Sequence, residues 1–209
     1  LQFQHRETLM EYLMAKILVL YHSVYGHIEQ MARAEAQGAA DLPGTVVTLK
    51  RVPETMAPDA FAAAGGKTNQ DAPVARADEL ADYDAIIFGS PTYMGSVSAQ
   101  FKAFADASSE RWEAQLWRNK LAAGFTIGSN LNGDQLATLQ YMQILASQHG
   151  MLWVGLDLPG NSGAKGLNRL GAQSGVIAQS VDAGLCDSDL LTARYLGLRV
   201  ARLSITFTS

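Results

Sequence analysis

The stretch ILVLYHSVYGHI, residues 17–28, decides the fold. Ile17, Leu18, Val19, Leu20 and Tyr21 form an apolar run without polar alternation, as a strand covered on both faces requires. The run enters a short polar loop with one glycine, Gly26, and an apolar face at helical spacing follows at Ile28, Met31, Ala32, Ala36 and Ala39. Strand, tight loop and helix start therefore follow one another. Such a junction points unpaired backbone N–H groups and the positive end of a helix dipole at one spot, which makes it an anion site. Ser23 and Tyr25 add hydroxyl donors, and no Lys or Arg lies between Lys16 and Arg33. The expected ligand is a phosphate held by neutral groups, each hydrogen bond to it contributing roughly 1.5–3 kcal/mol.

Outward from this stretch, 209 residues with 48% hydrophobic content can bury a sizeable core, and nothing forces a second domain. The net charge of -4 comes from interspersed charges without a basic cluster, which argues against nucleic acid or an anionic membrane surface as a partner. The single cysteine, Cys186, cannot form an intrachain disulfide, and no Cys and His spacing resembles a metal site, so a cytoplasmic location fits best. Residues 1–13, LQFQHRETLMEYL, are too polar for a signal peptide, and no apolar run approaches membrane-spanning length. They read as an N-terminal extension before a domain over residues 14–209 that would start naturally at Met14.

Four further apolar runs, at residues 46–49, 85–88, 121–125 and 151–154, are spaced for βαβ units. Helical patterns fill the gaps at 28–40, 98–107 and 135–147, and Asp187 or Ser188 can cap a last helix running to about Leu203. Two stretches remain: 53–77 as a long loop and 156–184 as a Gly- and Ser-rich connection too long for mere linkage. The expected architecture is α/β, a five-stranded parallel sheet between two layers of helices.

In such a sheet ligands bind beyond the C-terminal strand ends, so the segments after strands one, three and four should line one site. After strand three, Pro91 fixes the backbone, Thr92 offers a hydroxyl and Gly95 allows close approach, while Tyr93 and Met94 offer flat or polarizable surface. This suits the edge of a planar heterocycle. After strand four, Thr126, Ile127, Gly128, Ser129, Asn130, Leu131 and Asn132 form a run rich in small and hydrogen-bonding residues that can hold a polyol chain or more of the ring.

The stretch from Leu18 to Ile28 with YGHI, together with RVPET at 51–55, GGKT at 65–68, ELADYDAIIFGSPT at 79–92 and QHGM at 148–151, resembles the flavodoxin-like NAD(P)H:quinone oxidoreductases of the WrbA type. The likeness runs colinearly from about Met14 to Met151. It implies a flavodoxin-like fold with strand order 2-1-3-4-5, bound FMN, electron transfer from NADH or NADPH through the flavin to a quinone, and a homo-oligomer, dimer or tetramer. By position, Ser23, Val24, Tyr25, Gly26, His27 and Ile28 would wrap the FMN phosphate, and Tyr93, Met94 and Gly95 would border the isoalloxazine, with 127–132 also on the flavin. His149 matches a family histidine near the ring and is the candidate catalytic residue; Tyr25 would also meet nicotinamide, and Trp112 would close the substrate pocket. The chain departs from the family at Tyr93-Met94, where Arg-Phe is usual, and at Asn130-Leu131-Asn132, where glycines are usual. The loop around 171–175 is also shorter and lacks the usual aromatic.

Plainer readings compete at several positions. The GGKT tetrad is not a nucleotide P-loop, because the glycine required five residues before the second one is Phe61; a surface loop is expected. His149 can be a satisfied histidine at a strand entrance. Trp112 fits a subunit contact, a pocket wall or helix packing, and Cys186 reads as inert. No Gly-x-Ser-x-Gly elbow follows any predicted strand. Two other functions remain open, a one-electron flavodoxin-type carrier and a non-catalytic FMN-binding regulatory protein.

Overall fold

The computed structural model describes residues 14–131, 133–181 and 184–208; the expected extension over 1–13 and the site candidate Asn132 lie outside them. β1 (Ala15–Tyr21) sits between β2 (Thr45–Arg51) and β3 (Ala85–Pro91), and β4 (Leu121–Gly128) pairs with β3, every pair parallel. The fold is flavodoxin-like, with the expected order 2-1-3-4 and helices on both faces.

The fifth position departs from expectation. It is filled in two pieces: β5 (Leu152–Trp153) pairs with the start of β4, and β6 (Val176–Val181) pairs with its end. A short β7 (Gly184–Leu185) turns back antiparallel on β6, giving seven strands among the described residues rather than the expected five. The excursion between the two pieces is pinched at its neck, where Leu156 N–H donates to Gln173 O at 2.8 Å and Trp153 Nε1 to Ser174 O at 2.8 Å. Glycine makes that neck possible. A β-carbon on Gly155 would lie 2.3 Å from Gln173 O, and one on Gly175 would lie 2.4 Å from Gly124 O. The expected connection over 156–184 thus contains a sheet strand.

Alternation along β1 feeds two cores. Ile17, Val19 and Tyr21 pack under α1 (His27–Ala40) and the long C-terminal helix, while Leu18 and Leu20 face the opposite layer. That second layer contains α3 (Ala99–Asp106) and α5 (Gln135–Gln148), which contribute Phe101, Phe104, Leu139, Met142 and Leu145. Burying each such side chain is worth roughly 1.5–3 kcal/mol. Ser98 caps α3 by accepting from Phe101 N–H at 3.3 Å. The C-terminal helix, α6 (Asp187–Thr208), crosses α1 at backbone contact distance: a β-carbon on Gly38 would lie 1.8 Å from Arg194 O, and one on Gly197 2.0 Å from Glu35 O. The expected loop over 53–77 also carries a helical turn, α2 (Pro58–Ala63), with Pro58 at its start and Phe61 buried beneath it. A short helix α4 (Ser109–Glu113) follows α3. Among the described residues no helix is long and apolar enough to cross a membrane.

Candidate functional site

β1 keeps its pairing through His22, whose N–H donates to Gly89 O at 2.9 Å, and the chain then turns. Gly26 closes the turn by donating its N–H to Ser23 Oγ at 3.0 Å, and it caps α1 with φ 90°, a conformation costly for other residues. No side chain caps the helix, so its first-turn N–H groups remain directed at the loop. The loop, helix start and their relation to the sheet follow the local sequence reading.

One element of the loop's electrostatics came from far along the chain. Lys67, in the GGKT segment, donates its backbone N–H to Val24 O at 2.7 Å and lays its side chain beside Gly26 to reach Glu29 Oε2 at 2.7 Å. GGKT is the surface loop expected, but the expectation of purely neutral surroundings needs correction. Glu29 is almost fully buried, and burial alone would raise its carboxyl; hydrogen bonds from Lys67 and Arg33 outweigh that and hold it below the usual range. Gln70 fastens the same segment by donating to Ser23 O at 2.8 Å.

The loops after β1, β3 and β4 converge on a cleft of about 270 Å³, lined by Ser23, Val24, Tyr25, His27, Ile28, Pro91, Thr92, Tyr93, Ile127, Gly128 and Ser129. A hydroxyl chain locks its floor. Thr126 Oγ1 donates to Ser90 O at 2.7 Å, which leaves it to accept from Thr92 Oγ1 at 2.9 Å, and Thr92 in turn accepts from Thr138 at 2.8 Å. Thr126 thus supports the cleft from within the sheet. Gly26 shapes the loop through its backbone, while Met94 is fully exposed at φ 48° and Gly95 takes φ 73° in the turn closed by Tyr93 and Ser96. Asn130 and Leu131 lie on the exposed tip after β4. Ser180 on β6, absent from the sequence candidates, completes the wall and lies with Oγ 3.1 Å from His27 Nδ1. Only the doubled fifth strand brings it there.

This donor set fits FMN. The open helix N-terminus and the Ser23 loop suit a monophosphate, and the neighbouring mix of Tyr93, Ile127, Ser129 and backbone suits a planar ring with polar edges. Tyr93's phenol is raised by burial and by the nearby Tyr25 and Glu54, so it is a neutral hydrogen-bonding group at neutral pH.

His149 and Trp112 are not brought to this cleft within one chain. His149 caps the C-terminus of α5 just before β5, at the start of the β4 register, whereas the cleft lies at the opposite strand ends. Its ring is buried, stacks on Trp117 with centroids 3.8 Å apart, and holds Ser108 through Nε2 at 2.9 Å. Ser108 Oγ spends its own proton on Ala105 O at 2.7 Å, so Nε2 is the donor. Burial lowers the imidazole pKa to about 4. Trp112, half-exposed on α4, lines a separate cavity of about 520 Å³ with His149, Tyr141 and Ile144.

A third cavity, about 490 Å³, adjoins the loop on its β2 side and is lined by residues including His22, Ser23, Arg51, Glu54, Phe61 and Lys67. Burial lowers the His22 imidazole, an effect its hydrogen bond to Glu54 at 3.1 Å only partly offsets. Among the described residues no cluster of His, Cys, Asp and Glu is placed to hold a metal ion.

Residues 15–159 match the family described as NADPH-dependent FMN reductase. A WrbA-like flavodoxin from Agrobacterium tumefaciens is 40% identical, with a TM-score of 0.66 over 91% of this chain and 97% of its own. Flavodoxin 2 from Bacillus cereus, 19% identical over 90% of this chain and 99% of its own, shares the fold with a TM-score of 0.61. A flavodoxin from the domain Archaea does so at 18% identity and a TM-score of 0.56, over 90% of this chain and 98% of its own.

Proposed function

The chain belongs to the NADPH-dependent FMN reductase family, among its WrbA-type, flavodoxin-like members, and from that premise we propose that it reduces quinones, or similar two-electron acceptors, with NADH or NADPH. The observation that carries this reading is the convergence of the Ser23–Gly26 turn, at the open N-terminus of α1, with the loops after β3 and β4 on one cleft. When bound there, FMN supplies the two-electron redox chemistry between donor and acceptor.

The chain supplies placement. Ser23 and the backbone of 24–28 hold the phosphate, and the Thr138–Thr92–Thr126 relay fixes the loops that border the ring. Tyr25, more than half exposed, faces incoming nicotinamide or quinone with an apolar ring and a hydroxyl, and no side-chain nucleophile is required. Trp112 and Ile144 present exposed apolar surface at the His149 cavity, and this supports assembly into a homo-oligomer, dimer or tetramer. His149 serves there as a packed, neutral positioning group for Ser108 and Trp117 rather than as an acid.

FMN titration of the apoprotein, followed by steady-state oxidation of NADH and NADPH with a benzoquinone, tests the reading. One FMN bound per chain and donor-dependent quinone turnover are expected. Lack of FMN binding overturns the site, and binding without turnover overturns the reductase.

A further inference from the structure

The cavity on the β2 side of the loop is left unused by the flavin reading, yet it is the better equipped of the two for an anionic ligand. Its volume is about 490 Å³, and Ser23 lines both it and the flavin cleft. Tyr93, a wall of the cleft, lies within electrostatic reach of Tyr25 on one side and of Glu54, a wall of the cavity, on the other. Cleft and cavity therefore adjoin at Ser23, on either side of the same loop.

The cavity's polar groups are asymmetric in sign. Arg51 is anchored by Nε on Ala72 O at 3.0 Å, and among the described residues its two Nη groups have no acceptor, which leaves a guanidinium edge for a phosphate. Lys67 also lines the cavity, its Nζ paired with Glu29, which it shares with Arg33. The acid of the cavity is already engaged. Glu54 Oε2 meets His22 Nε2 at 3.1 Å, while Oε1 accepts from Gln100 at 2.7 Å, Thr55 N–H at 2.8 Å and Met56 N–H at 2.9 Å. The cavity's apolar lining is Phe61, Met56 and Pro58, the combination of flat and polarizable surface on which a purine rests.

We propose that this cavity binds the adenosine 2′-phosphate end of NADPH, with Arg51 and Lys67 on the phosphate and Phe61 and Met56 on the adenine. The inference rests on the NAD(P)H-dependent reading of the neighbouring cleft. It assigns donor choice to the cavity, because NADH lacks the dianionic group that the guanidinium edge matches.

The test uses the FMN-loaded protein and 2′,5′-ADP as probe, with 5′-AMP as control, by calorimetry. Binding of 2′,5′-ADP at least tenfold tighter than 5′-AMP is expected, with loss of that difference in Arg51→Met and partial retention in Arg51→Lys, which keeps the charge but not the fork. In turnover, Arg51→Met should raise the NADPH-to-NADH ratio of KM at least tenfold. Failure of 2′,5′-ADP to bind, or binding indifferent to both substitutions, overturns the cavity assignment while NADPH oxidation by the parent leaves the proposed function standing. Conversely, Arg51-dependent binding of 2′,5′-ADP without oxidation of either donor supports the cavity and overturns the reductase.

Discussion

The side chain of Lys67 lies across Gly26, so close that a β-carbon on the glycine would stand 2.9 Å from Lys67 Cδ. The lysine cannot simply swing away, because its Nζ is held by Glu29. Gly26 also needs φ 90°, which a β-branched residue adopts only under strain. Gly26→Val should therefore weaken FMN binding at least tenfold in fluorescence titration while the apoprotein keeps its far-ultraviolet dichroism. Unchanged affinity would remove the phosphate from this loop.

Lys67→Met should leave Glu29 with Arg33 alone. Losing a hydrogen bond to a nearly buried carboxylate is expected to cost about 1–3 kcal/mol in urea denaturation at pH 7. Because the folded Glu29 carboxyl lies below its ordinary 4.5, its stabilising contribution is present above that value and is lost as pH falls through the folded one. The variant should accordingly lose less stability than the parent on acidification. A parallel pair of pH profiles would show that the Lys67 contact contributes nothing.

His149→Ala removes a ring stacked on Trp117 and the donor to Ser108, and should cost about 3 kcal/mol of stability. The imidazole is held near pKa 4 when folded and titrates at 6.5 when unfolded, so the unfolded chain binds the proton more readily between those values. Its stabilisation is full above 6.5 and declines as pH drops toward 4. Chemical denaturation at pH 7.5 and 5 should show a smaller decline in His149→Gln than in the parent. Stopped-flow reoxidation of the flavin by quinone slowed a hundredfold in His149→Gln, with stability unchanged, would restore a catalytic role.

Glu35 is buried where α1 meets α6, and burial raises its carboxyl well above 4.5, offset only in part by the Gly197 N–H. Here the folded state retains a proton that the unfolded state releases. The contribution to stability is full below 4.5 and diminishes as pH rises from there to the folded value. Glu35→Gln, which imitates the protonated acid, should be more stable than the parent at pH 8 and indistinguishable from it at pH 4 by thermal melting. Equal melting temperatures at both pH values would mean that the carboxyl is ionised in the folded protein.

The strand, loop and helix start at 17–28 were legible because their signals are local: an uninterrupted apolar run, one glycine at the turn and apolar residues at helical spacing. The same holds for the helices beginning at Ala99 and Gln135, whose buried residues recur at helical spacing, the first also capped by Ser98. The parallel sheet and the convergence of loops at one sheet edge followed from the βαβ rhythm, and the strand order from the family resemblance.

Other features depend on where distant chain segments meet. Nothing near Gly26 announces that Lys67 will lie against it, nor does the Gly- and Ser-rich connection reveal that Val176–Val181 returns to β4 and brings Ser180 to His27. Likewise a histidine before a strand reads alike whether its ring turns to a ligand or to Trp117. The sequence by itself determined the apolar strands of a parallel sheet and the anion-directed helix start, because backbone hydrogen bonding and apolar periodicity act over short spans of chain, while the strand order was implied by the family resemblance. Tertiary packing alone decided which charges stand beside the loop, how the fifth strand divides and why His149 stays neutral, because burial and charge pairing depend on residues dozens of positions apart.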